Sequence, residues 1–389
     1  MRRKQLLSGM TAAFMVCMTF PSMAGQWHQE GDDWKYVKDD QTLVKQEWFQ
    51  EMDGRWYYFD ETGSMVTNSI TPDGYVAGAD GVYIPGMGSD RDAVVTPWNY
   101  QRMLGHGMDV DWSKVKAGRD SYQAKVVEDF RQAGVDHVRI RVKDDWSQEL
   151  LSSVEQQIDD CLGAGLIPVL AYQADTFKND PSQANINQVA DWWRFAAEQF
   201  QEKSHLLSFD LMIESSDVLN KQPERLNQMI EQTVSAIRQT NPDRIIMMSP
   251  RLRSDPTYLS ELKIPTAANG YMMAEWHFYA AGPSKTNDKK LWTTGTDSEK
   301  QMILNKIQYA LNWQQQTGIP TWVGAWMPGD YNDGNSYSIS EQMVFAAFMC
   351  DSLDAVGIPF AVNSDTKFYD RESGQWIENM KPLRELIYR

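Results

Sequence analysis

The chain has 389 residues, of which 42% are hydrophobic and 23% are charged. This balance is typical of a globular protein, and the length fits one large domain with a small additional segment. The formal net charge of −16 would repel a polyanion over most of the surface, so nucleic acid is not an expected partner.

The first 24 residues are typical of a secretory signal peptide. A positive start, Arg2 to Lys4, precedes a largely apolar stretch from Leu6 to Phe20, and Ser22-Met-Ala24 supplies the small residues of a cleavage site. Because this stretch is shorter than the roughly 20 residues that span a bilayer, a membrane anchor is the alternative only if cleavage fails. We expect a secreted protein associated with the cell surface or cell wall, without a membrane span after cleavage. Its two remaining cysteines, Cys161 and Cys350, are expected to be buried free thiols.

Residues 25–70 contain short aromatic runs separated by turn-forming pairs. Asp53-Gly54 between two such runs predicts a β-hairpin. Trp34 and Trp56 lie 22 residues apart, a spacing typical of stacked hairpin repeats. The run Gly54-Arg-Trp-Tyr-Tyr-Phe-Asp60, followed by Gly63-Ser-Met65, resembles the choline-binding or cell-wall-binding repeat of Gram-positive surface proteins.

This resemblance implies a binding site made of aromatic rings. Rings from successive hairpins would surround a choline group or a unit of a cell-wall polymer, since aromatic faces attract quaternary ammonium groups. The positions that match the repeat in this way are Trp34, Trp48, Trp56 and Tyr58. The segment holds about two repeats, fewer than the roughly three that an array needs, so a packed spacer without a ligand is the alternative.

Residues 71–97 are rich in glycine and proline, which predicts a linker before a domain that covers residues 98–389. In that domain, apolar and β-branched runs alternate with segments of helical periodicity. The predicted strands are Met103–Met108, Val135–Val142, Leu166–Tyr172, Leu206–Ile213, Arg244–Ser249, Tyr271–Tyr279, Thr321–Trp326 and Pro359–Val362. The predicted helices include Leu150–Leu162, Val189–Gln201, Leu226–Arg238 and Glu299–Gln315. This alternation predicts an α/β fold, a (β/α)8 TIM barrel with its functional residues at the carboxyl ends of the strands.

Five runs of this domain carry a more specific resemblance. They are Met103-Leu-Gly-His-Gly-Met-Asp109, Val138-Arg-Ile140, Ser208-Phe-Asp-Leu-Met-Ile-Glu214, Trp276-His-Phe-Tyr279 and Ile319-Pro-Thr-Trp-Val-Gly324. In register, they resemble the first, second, fourth, sixth and seventh strands of glycoside hydrolase family 5, the cellulase-like branch of the barrel hydrolases. The resemblance implies cleavage of a β-linked polysaccharide. It also implies that Glu214 is the acid/base residue and that Arg139 orients the nucleophile.

The residue types at these positions suit glycoside hydrolysis. The reaction needs one carboxyl group that protonates the departing oxygen and a second that attacks the anomeric carbon or activates water. Glu214 ends an apolar strand, where burial would raise a carboxyl pKa, although an ion pair at the barrel rim is the alternative. His277 and Tyr279 point to the same side of their strand and could support the carboxylates, whereas a satisfied core histidine is the other interpretation.

Three positions depart from the family pattern. Ala325 stands where the family has its nucleophilic glutamate, and a methyl group can neither attack carbon nor accept a proton. Ile213 replaces an asparagine before the acid/base residue, and Tyr172-Gln173 replaces a histidine after the third strand. Together these changes predict a site that is either rebuilt or silent.

A rebuilt site would need another carboxylate about 6.5 to 9.5 Å from Glu214, with water as the nucleophile. The candidates are Glu275, Asp217, Asp330 and Asp365. The alternative for Glu275 is an ion pair with Arg139 or Arg141, and the alternative for Asp330 and Asp365 is that they are solvated loop carboxylates. Sugar contacts are expected from residues at or beyond strand ends, namely Trp112, Trp146, Trp276, Trp292, Trp326 and Asp330. No spacing of ligand residues suggests a metal site, and no cofactor is expected.

These observations favour a secreted glycoside hydrolase of the family 5 type that acts on a β-linked polysaccharide. One alternative is a barrel of the same fold that binds carbohydrate without hydrolysing it. Another is a surface protein that works only through its aromatic repeats. The first hypothesis requires that Glu214 face an open cleft at the mouth of the barrel.

Overall fold

The computed structural model describes residues 25–31, 33–51, 55–67, 69–72, 75–78, 80–84, 94–279, 294–328 and 337–389. The chain divides into two units, Met1–Arg91 and Asp92–Arg389. The predicted signal peptide, the turn Asp53-Gly54, Trp292 and Asp330 lie outside the described residues, as does the side chain of Tyr279.

The first unit consists of antiparallel strands. Its described strands are β1 Gln26–Glu30, β2 Asp33–Val37, β3 Glu47–Gln50, β4 Trp56–Phe59, β5 Ser69–Ile70, β6 Val76–Ala77 and β7 Tyr83–Ile84. They form the hairpins β1-β2 and β3-β4 and the three-stranded sheet β5-β6-β7. The repeat segment predicted to end at residue 70 therefore continues to Ile84, and the first part of the predicted linker is sheet. Turn-forming glycine and proline join very short strands here, which made the segment resemble a linker.

The second unit is a barrel. Its strands are β8 His106–Ser113, β9 His137–Val142, β10 Ile167–Tyr172, β11 Ser208–Asp210, β12 Ile246–Met248, β13 Met272–Tyr279, β14 Thr321–Met327 and β15 Phe360–Asn363. These eight described strands close into a barrel in chain order, with β15 paired to β8 and all pairs parallel. The predicted (β/α)8 barrel is thereby confirmed. An antiparallel pair, β16 Tyr369–Asp370 and β17 Gln375–Trp376, follows it.

Helices alternate with the barrel strands. The described α-helices are α1 Pro97–Leu104, α2 Lys116–Asp120, α3 Lys125–Gln132, α4 Gln148–Ala164, α5 Asp175–Asn179, α6 Gln183–Gln199, α7 Pro223–Ile237, α8 Arg251–Ser254, α9 Asp297–Thr317, α10 Ile339–Asp354 and α11 Lys381–Ile387. Short 3-10 helices cover Leu219–Lys221, Pro256–Glu261, Asp365–Lys367 and Glu378–Met380. None of the described helices combines the length and the apolar character needed to cross a membrane.

The start of the barrel differs from the prediction. The first strand was expected at Met103–Met108, but α1 occupies residues up to Leu104 and β8 begins at His106. The side chain of Thr96 accepts a hydrogen bond from the amide of Asn99, and Pro97 occupies the first helical position, where its missing amide hydrogen costs nothing. These capping signals favour a helix at the start of this segment, whereas the apolar residues from Met103 onward suggested a strand.

Because all eight described barrel strands are parallel, their carboxyl ends meet at one mouth. Most residues of β8, β9, β10 and β14 are buried, as expected for strands covered on both faces. The residues that follow each strand therefore decide what the mouth presents to a ligand.

Candidate functional site

A cavity of about 520 Å³ opens at the carboxyl ends of the barrel strands. Its lining comes from the segments that follow β8 to β12, together with two side chains of β9. The lining residues are Lys114, Arg139, Arg141, Lys143, Gln173, Asp175, Lys178, Asn179, Ile213, Glu214, Ser215, Ser216, Asp217, Val218 and Arg253. Glu214 thus faces an open cavity, as the hypothesis of a cleft at the barrel mouth requires.

Glu214 is held in a well-fixed segment after β11. Its φ of 53° lies in the left-handed region, which is uncommon for a residue with a side chain and is found more often at functional sites. The amide of Ile213 donates to the carbonyl oxygen of Tyr172 at 2.9 Å, and the hydroxyl of Ser249 donates to the carbonyl oxygen of Met212 at 2.9 Å. These bonds tie the segment to β10 and β12. The Glu214 side chain keeps 18% of its surface exposed to the cavity.

His277, on β13, joins Glu214 to a second glutamate. Its Nδ1 lies 2.9 Å from Oε1 of Glu214, and its Nε2 lies 2.5 Å from Oε1 of Glu275. Burial by itself would lower the histidine pKa, but the charge of Glu275 and the hydrogen bonds that the imidazole donates to both glutamates raise the pKa of His277 to about 9. The imidazole is therefore charged at neutral pH, and both ring nitrogens donate.

Arg139, on β9, is the centre of a buried ionic network. Its guanidinium donates to Asp109 at 2.9 Å and to Asp210 at 3.1 Å, and it also donates to Glu275. Burial and the neighbouring charge of Glu275 raise the pKa of Asp210 well above its usual value, although Arg139 opposes this shift. Burial also opposes ionisation of Glu275, but His277 and Arg139 together lower the pKa of Glu275 below its usual value.

Glu275 lies behind the wall of the cavity. It is fully buried, and its carboxylate rests against the backbone of Gly324, where a Cβ atom would collide with it. Of the two interpretations, the ion pair with Arg139 is the one present in the structure. Ala325 is also fully buried and packs with Met327. Consequently neither position 275 nor position 325 presents a carboxylate to a ligand in the cavity.

The other candidate carboxylates differ in their placement. Asp365 is fully buried and lies 3.1 Å from Nε of Arg371, and burial raises its pKa to about 6. Asp217 lines the cavity with 82% of its side chain exposed, 3.7 Å from Arg253. Asp365 is therefore a structural residue and not a solvated loop carboxylate, because Arg371 pairs with it in the interior. Asp217, in contrast, can reach a ligand.

Three of the predicted sugar-binding tryptophans, Trp112, Trp276 and Trp326, are not among the described residues that line the cavity. Trp112, Trp276 and Trp326 are fully buried and belong to the main hydrophobic core. The rings of Trp112 and Trp326 pack against Phe130 of α3 and Phe345 of α10. The structure thus corrects the expectation for these three rings, because residues of a barrel strand can point outward to the helices as well as toward the mouth.

Trp146 also has a structural environment. Its ring stacks on Trp192 of α6 with the centroids 4.6 Å apart, and its Nε1 donates to the Trp192 carbonyl oxygen at 3.1 Å. It is only partly buried, but it is not among the described residues that line the cavity.

The first unit contains a cluster of four aromatic rings. Trp48 lies 5.3 Å from Tyr58, 5.9 Å from Tyr75 and 5.6 Å from Tyr83, measured between ring centroids, and all three contacts are edge-to-face. Trp48, Tyr58, Tyr75 and Tyr83 are called the four-ring cluster below. Trp48 and Tyr58 were predicted, whereas Tyr75 and Tyr83 lie in the segment that the sequence assigned to a linker.

The remaining two predicted aromatic positions lie elsewhere. Trp34 is buried in a small core with Tyr57, Phe59 and Met65. Trp56 keeps 40% of its surface exposed and pairs with Gln50 across the β3-β4 hairpin. Trp34 therefore stabilises the hairpins and cannot face a ligand.

Sequence reasoning missed the cationic side chains of the cavity. Lys114, Lys143, Lys178 and Arg253 were not singled out, although Lys114 and Lys143 directly follow β8 and β9. The rule that function lies just beyond strand ends would have identified these two. Lys178 lies on α5, and nothing in its local sequence indicates a functional role. Within the described ranges, no group of three or more His, Cys, Asp or Glu side chains is arranged to hold a metal ion.

Two family models match the chain. A model described as cellulase (glycosyl hydrolase family 5) matches residues 96–358, and a model described as choline-binding repeat matches residues 42–83. Among curated proteins, Endoglucanase H of Acetivibrio thermocellus is 25% identical over 304 residues, covering 73% of this chain and 33% of that protein. The chain therefore spans about a third of the length of this curated relative.

Solved structures share the barrel fold. The endoglucanase Cel5A of Thermotoga maritima has a TM-score of 0.65 at 17% identity, covering 75% of this chain and 100% of that chain. The cellulose synthase subunit Z of Clostridioides difficile has a TM-score of 0.62 at 20% identity, covering 73% of this chain and 99% of that chain. At these identities the likeness shows the fold alone.

Proposed function

Because this chain belongs to glycosyl hydrolase family 5, we propose that its barrel cleaves a β-linked polysaccharide and that Glu214 protonates the departing glycosidic oxygen. The observation that carries the proposal is the position of Glu214. Its carboxyl group faces the cavity on one side and forms a 2.9 Å hydrogen bond with charged His277 on the other. A proton is therefore available beside the group that would contact the glycosidic oxygen.

The source of the proton follows from this pair. Before a sugar chain binds, the cavity is open to solvent, and the side chain of Glu214 forms an ion pair with the charged imidazole of His277. When a sugar chain replaces the water, separated charges become more costly, which favours transfer of the proton from Nδ1 of His277 to Glu214. Glu214 then passes the proton to the glycosidic oxygen as the bond from that oxygen to the anomeric carbon breaks.

The second half of the reaction cannot follow the two-step route with a covalent intermediate. Ala325 has no nucleophilic atom, and Glu275 is buried, so water must attack the anomeric carbon directly. Among the described lining residues, Asp175 and Asp217 are the further carboxylates that could take a proton from this water. Burial opposes ionisation of Asp175, but hydrogen bonds from Lys178 and Lys143 lower its pKa. This route inverts the configuration at the anomeric carbon.

Glu214→Gln is expected to reduce the release of reducing ends on the order of 10²- to 10⁴-fold, because an amide cannot supply the proton. The measurement is reducing-end release from β-glucan, mannan and xylan by the full chain. Glu202→Gln, a change at an exposed surface glutamate, is the matched control and should behave as wild type. Equal rates for Glu214→Gln and wild type would rule out the proposed role of Glu214.

A second function is favoured by one specific observation. Neither of the two positions near His277 supplies a nucleophilic carboxylate to the cavity. Residue 325 is alanine, and Glu275 is buried and paired with Arg139. A barrel of this kind could bind a glycan without cutting it. In that case the wild-type protein would be retarded in a gel containing the polysaccharide while releasing no reducing ends.

The first unit supports attachment to a cell wall. The choline-binding repeat match covers Trp48, Tyr58, Tyr75 and Tyr83, the residues of the four-ring cluster. Electron-rich faces of such rings attract a quaternary ammonium group. The proposal is therefore a secreted protein held at the cell surface through choline or another wall component, so that the barrel acts on polysaccharide close to the cell.

Trp48→Ala in the full chain is expected to weaken retention on choline-agarose about fivefold, because one ring of a cation–π site contributes on the order of 1 kcal/mol. Trp56→Ala removes an exposed tryptophan outside the four-ring cluster and should leave retention unchanged. Retention would be measured as the choline concentration that elutes each protein. If Trp56→Ala weakens retention and Trp48→Ala does not, the ligand binds at another face of the hairpins.

A further inference from the structure

We propose that the barrel cavity selects a glycan that carries negative charge, as carboxylate or phosphate groups on its sugars. This inference rests on the proposed function, since it names the substrate class of the same site. It starts from a contrast in charge. The whole chain has a net charge of −16, yet six of the described lining residues are lysine or arginine and three are acidic.

Two of the six cations are already neutralised. Arg139 and Arg141 are almost fully buried, and their guanidinium groups pair with Asp109, Asp111, Asp210 and Glu275. Glu214, one of the three acids, is matched by charged His277. The charge that a ligand meets therefore comes from four cations, Lys114, Lys143, Lys178 and Arg253, against the two carboxylates Asp175 and Asp217.

Three of these cations are at least partly exposed and form their ion pairs at the surface of the cavity. The side chains of Lys114, Lys143 and Arg253 are 36%, 51% and 26% exposed, and their nearest carboxylates lie at 3.5, 3.2 and 3.7 Å. Ion pairs that are open to solvent contribute little to stability, because water screens the attraction. An anionic group of a ligand can replace the carboxylate partners at little cost.

The fourth cation connects this surface to the reactive group. The ammonium group of Lys178 donates to the carbonyl oxygen of Ile213 at 3.0 Å and lies 2.9 Å from Asp175. It is nearly buried, and burial lowers its pKa despite the nearby charges of Asp175 and Glu214. Its charge is therefore little screened by water, and it lies next to the segment that holds Glu214.

The lining also lacks the usual means of holding a neutral sugar. Among the described lining residues there is no Trp, Tyr or Phe on which a sugar face could stack. Charge and hydrogen bonds are the interactions that this part of the cavity offers. A carboxylate or phosphate ester on the sugar ring uses both, because its oxygens accept hydrogen bonds from lysine and arginine.

The test compares three cello-oligosaccharides of equal length: the neutral compound, one oxidised to carboxylates at C6, and one phosphorylated at C6. Binding to the full chain is measured by calorimetry at about 0.05 M and about 0.5 M NaCl, since salt screens charge interactions. We expect at least one charged compound to bind tenfold or more tightly than the neutral one at low salt and to lose most of this advantage at high salt. The stronger of the two charged compounds identifies the anionic group.

The double variant Lys143→Gln/Arg253→Gln should reduce the preference for the charged compounds to less than threefold. Lys263→Gln, a change at an exposed lysine paired with Glu224, is the matched control and should keep the preference. Equal binding of all three compounds, or a full preference in the double variant, would overturn the inference. Cleavage without charge preference would defeat only the inference, whereas charge-selective binding without cleavage of any compound would defeat only the proposed function.

Discussion

Ala325→Glu is expected to release reducing ends from a β-linked polysaccharide on the order of 10²-fold or more faster than wild type, because it restores the second carboxyl group that the two-step mechanism needs. Residue 325 pairs with His277 across β13 and β14, and Arg139 lies 3.2 Å from the same histidine. A carboxylate placed there would have cationic partners that hold it ionised. The gain should be accompanied by a change from inverted to retained anomeric configuration, which NMR of the first products reports.

Ala325→Gln is the matched control, because it adds the same volume without a nucleophilic oxygen, and it should stay at or below the wild-type rate. Since position 325 is fully buried, the larger side chain also carries a risk of misfolding. A second measurement avoids this risk: formate or azide added to wild type with an activated aryl glycoside should accelerate release of the aryl group by acting in place of the missing carboxylate. If neither the variant nor the added anions increase the rate, position 325 does not lie beside the anomeric carbon.

Arg139→Met is expected to lower the free energy of unfolding by about 3–5 kcal/mol, because removal of one partner from a buried ionic network leaves charges without compensation. The guanidinium contacts Asp109, Asp210 and Glu275, all of which are fully buried. Because the pKa of Asp210 is raised by burial and by Glu275, Asp109 and Glu275 carry most of the charge that would be left without compensation. Urea unfolding followed by tryptophan fluorescence gives the difference directly.

Arg102→Met, at an exposed arginine on α1, controls for the loss of a surface charge and should change stability by less than about 0.5 kcal/mol. The double variant Arg139→Met/Glu275→Gln should recover part of the loss, because it also removes one of the uncompensated charges. A loss below 1 kcal/mol for Arg139→Met would mean that water reaches the network and that these groups are not buried in solution.

The order and type of the barrel elements could be read from the sequence because they depend on local periodicity. Thr321–Met327 and Met272–Tyr279 agree closely with their predicted ranges. Short strands were less accurate: β11 covers only Ser208–Asp210, because the chain leaves the sheet before Glu214 and adopts a left-handed conformation there. Local patterns do not record where hydrogen bonding to a neighbouring strand ends.

Part of the candidate site was also accessible from the sequence. Glu214, His277 and Arg139 were identified because they lie in runs that resemble strands of the family, and the structure places them in one connected network. The expectation for Trp112, Trp276 and Trp326 failed for a physical reason. Parallel barrel strands are covered on both faces, so their hydrophobic runs do not reveal which side chains face the helices and which face the mouth.

By itself, the sequence determined the alternation of strands and helices. It also determined that a carboxyl group is present at position 214 and absent at position 325. Hydrophobic periodicity and residue identity are properties of the sequence and need no tertiary structure. Only the tertiary structure decided that Glu275 pairs with Arg139 behind the cavity wall and that Lys114, Lys143, Lys178 and Arg253 converge on one cavity. The reason is barrel closure, which brings together the ends of strands that are far apart along the chain and fixes which side chains are buried and which meet a ligand.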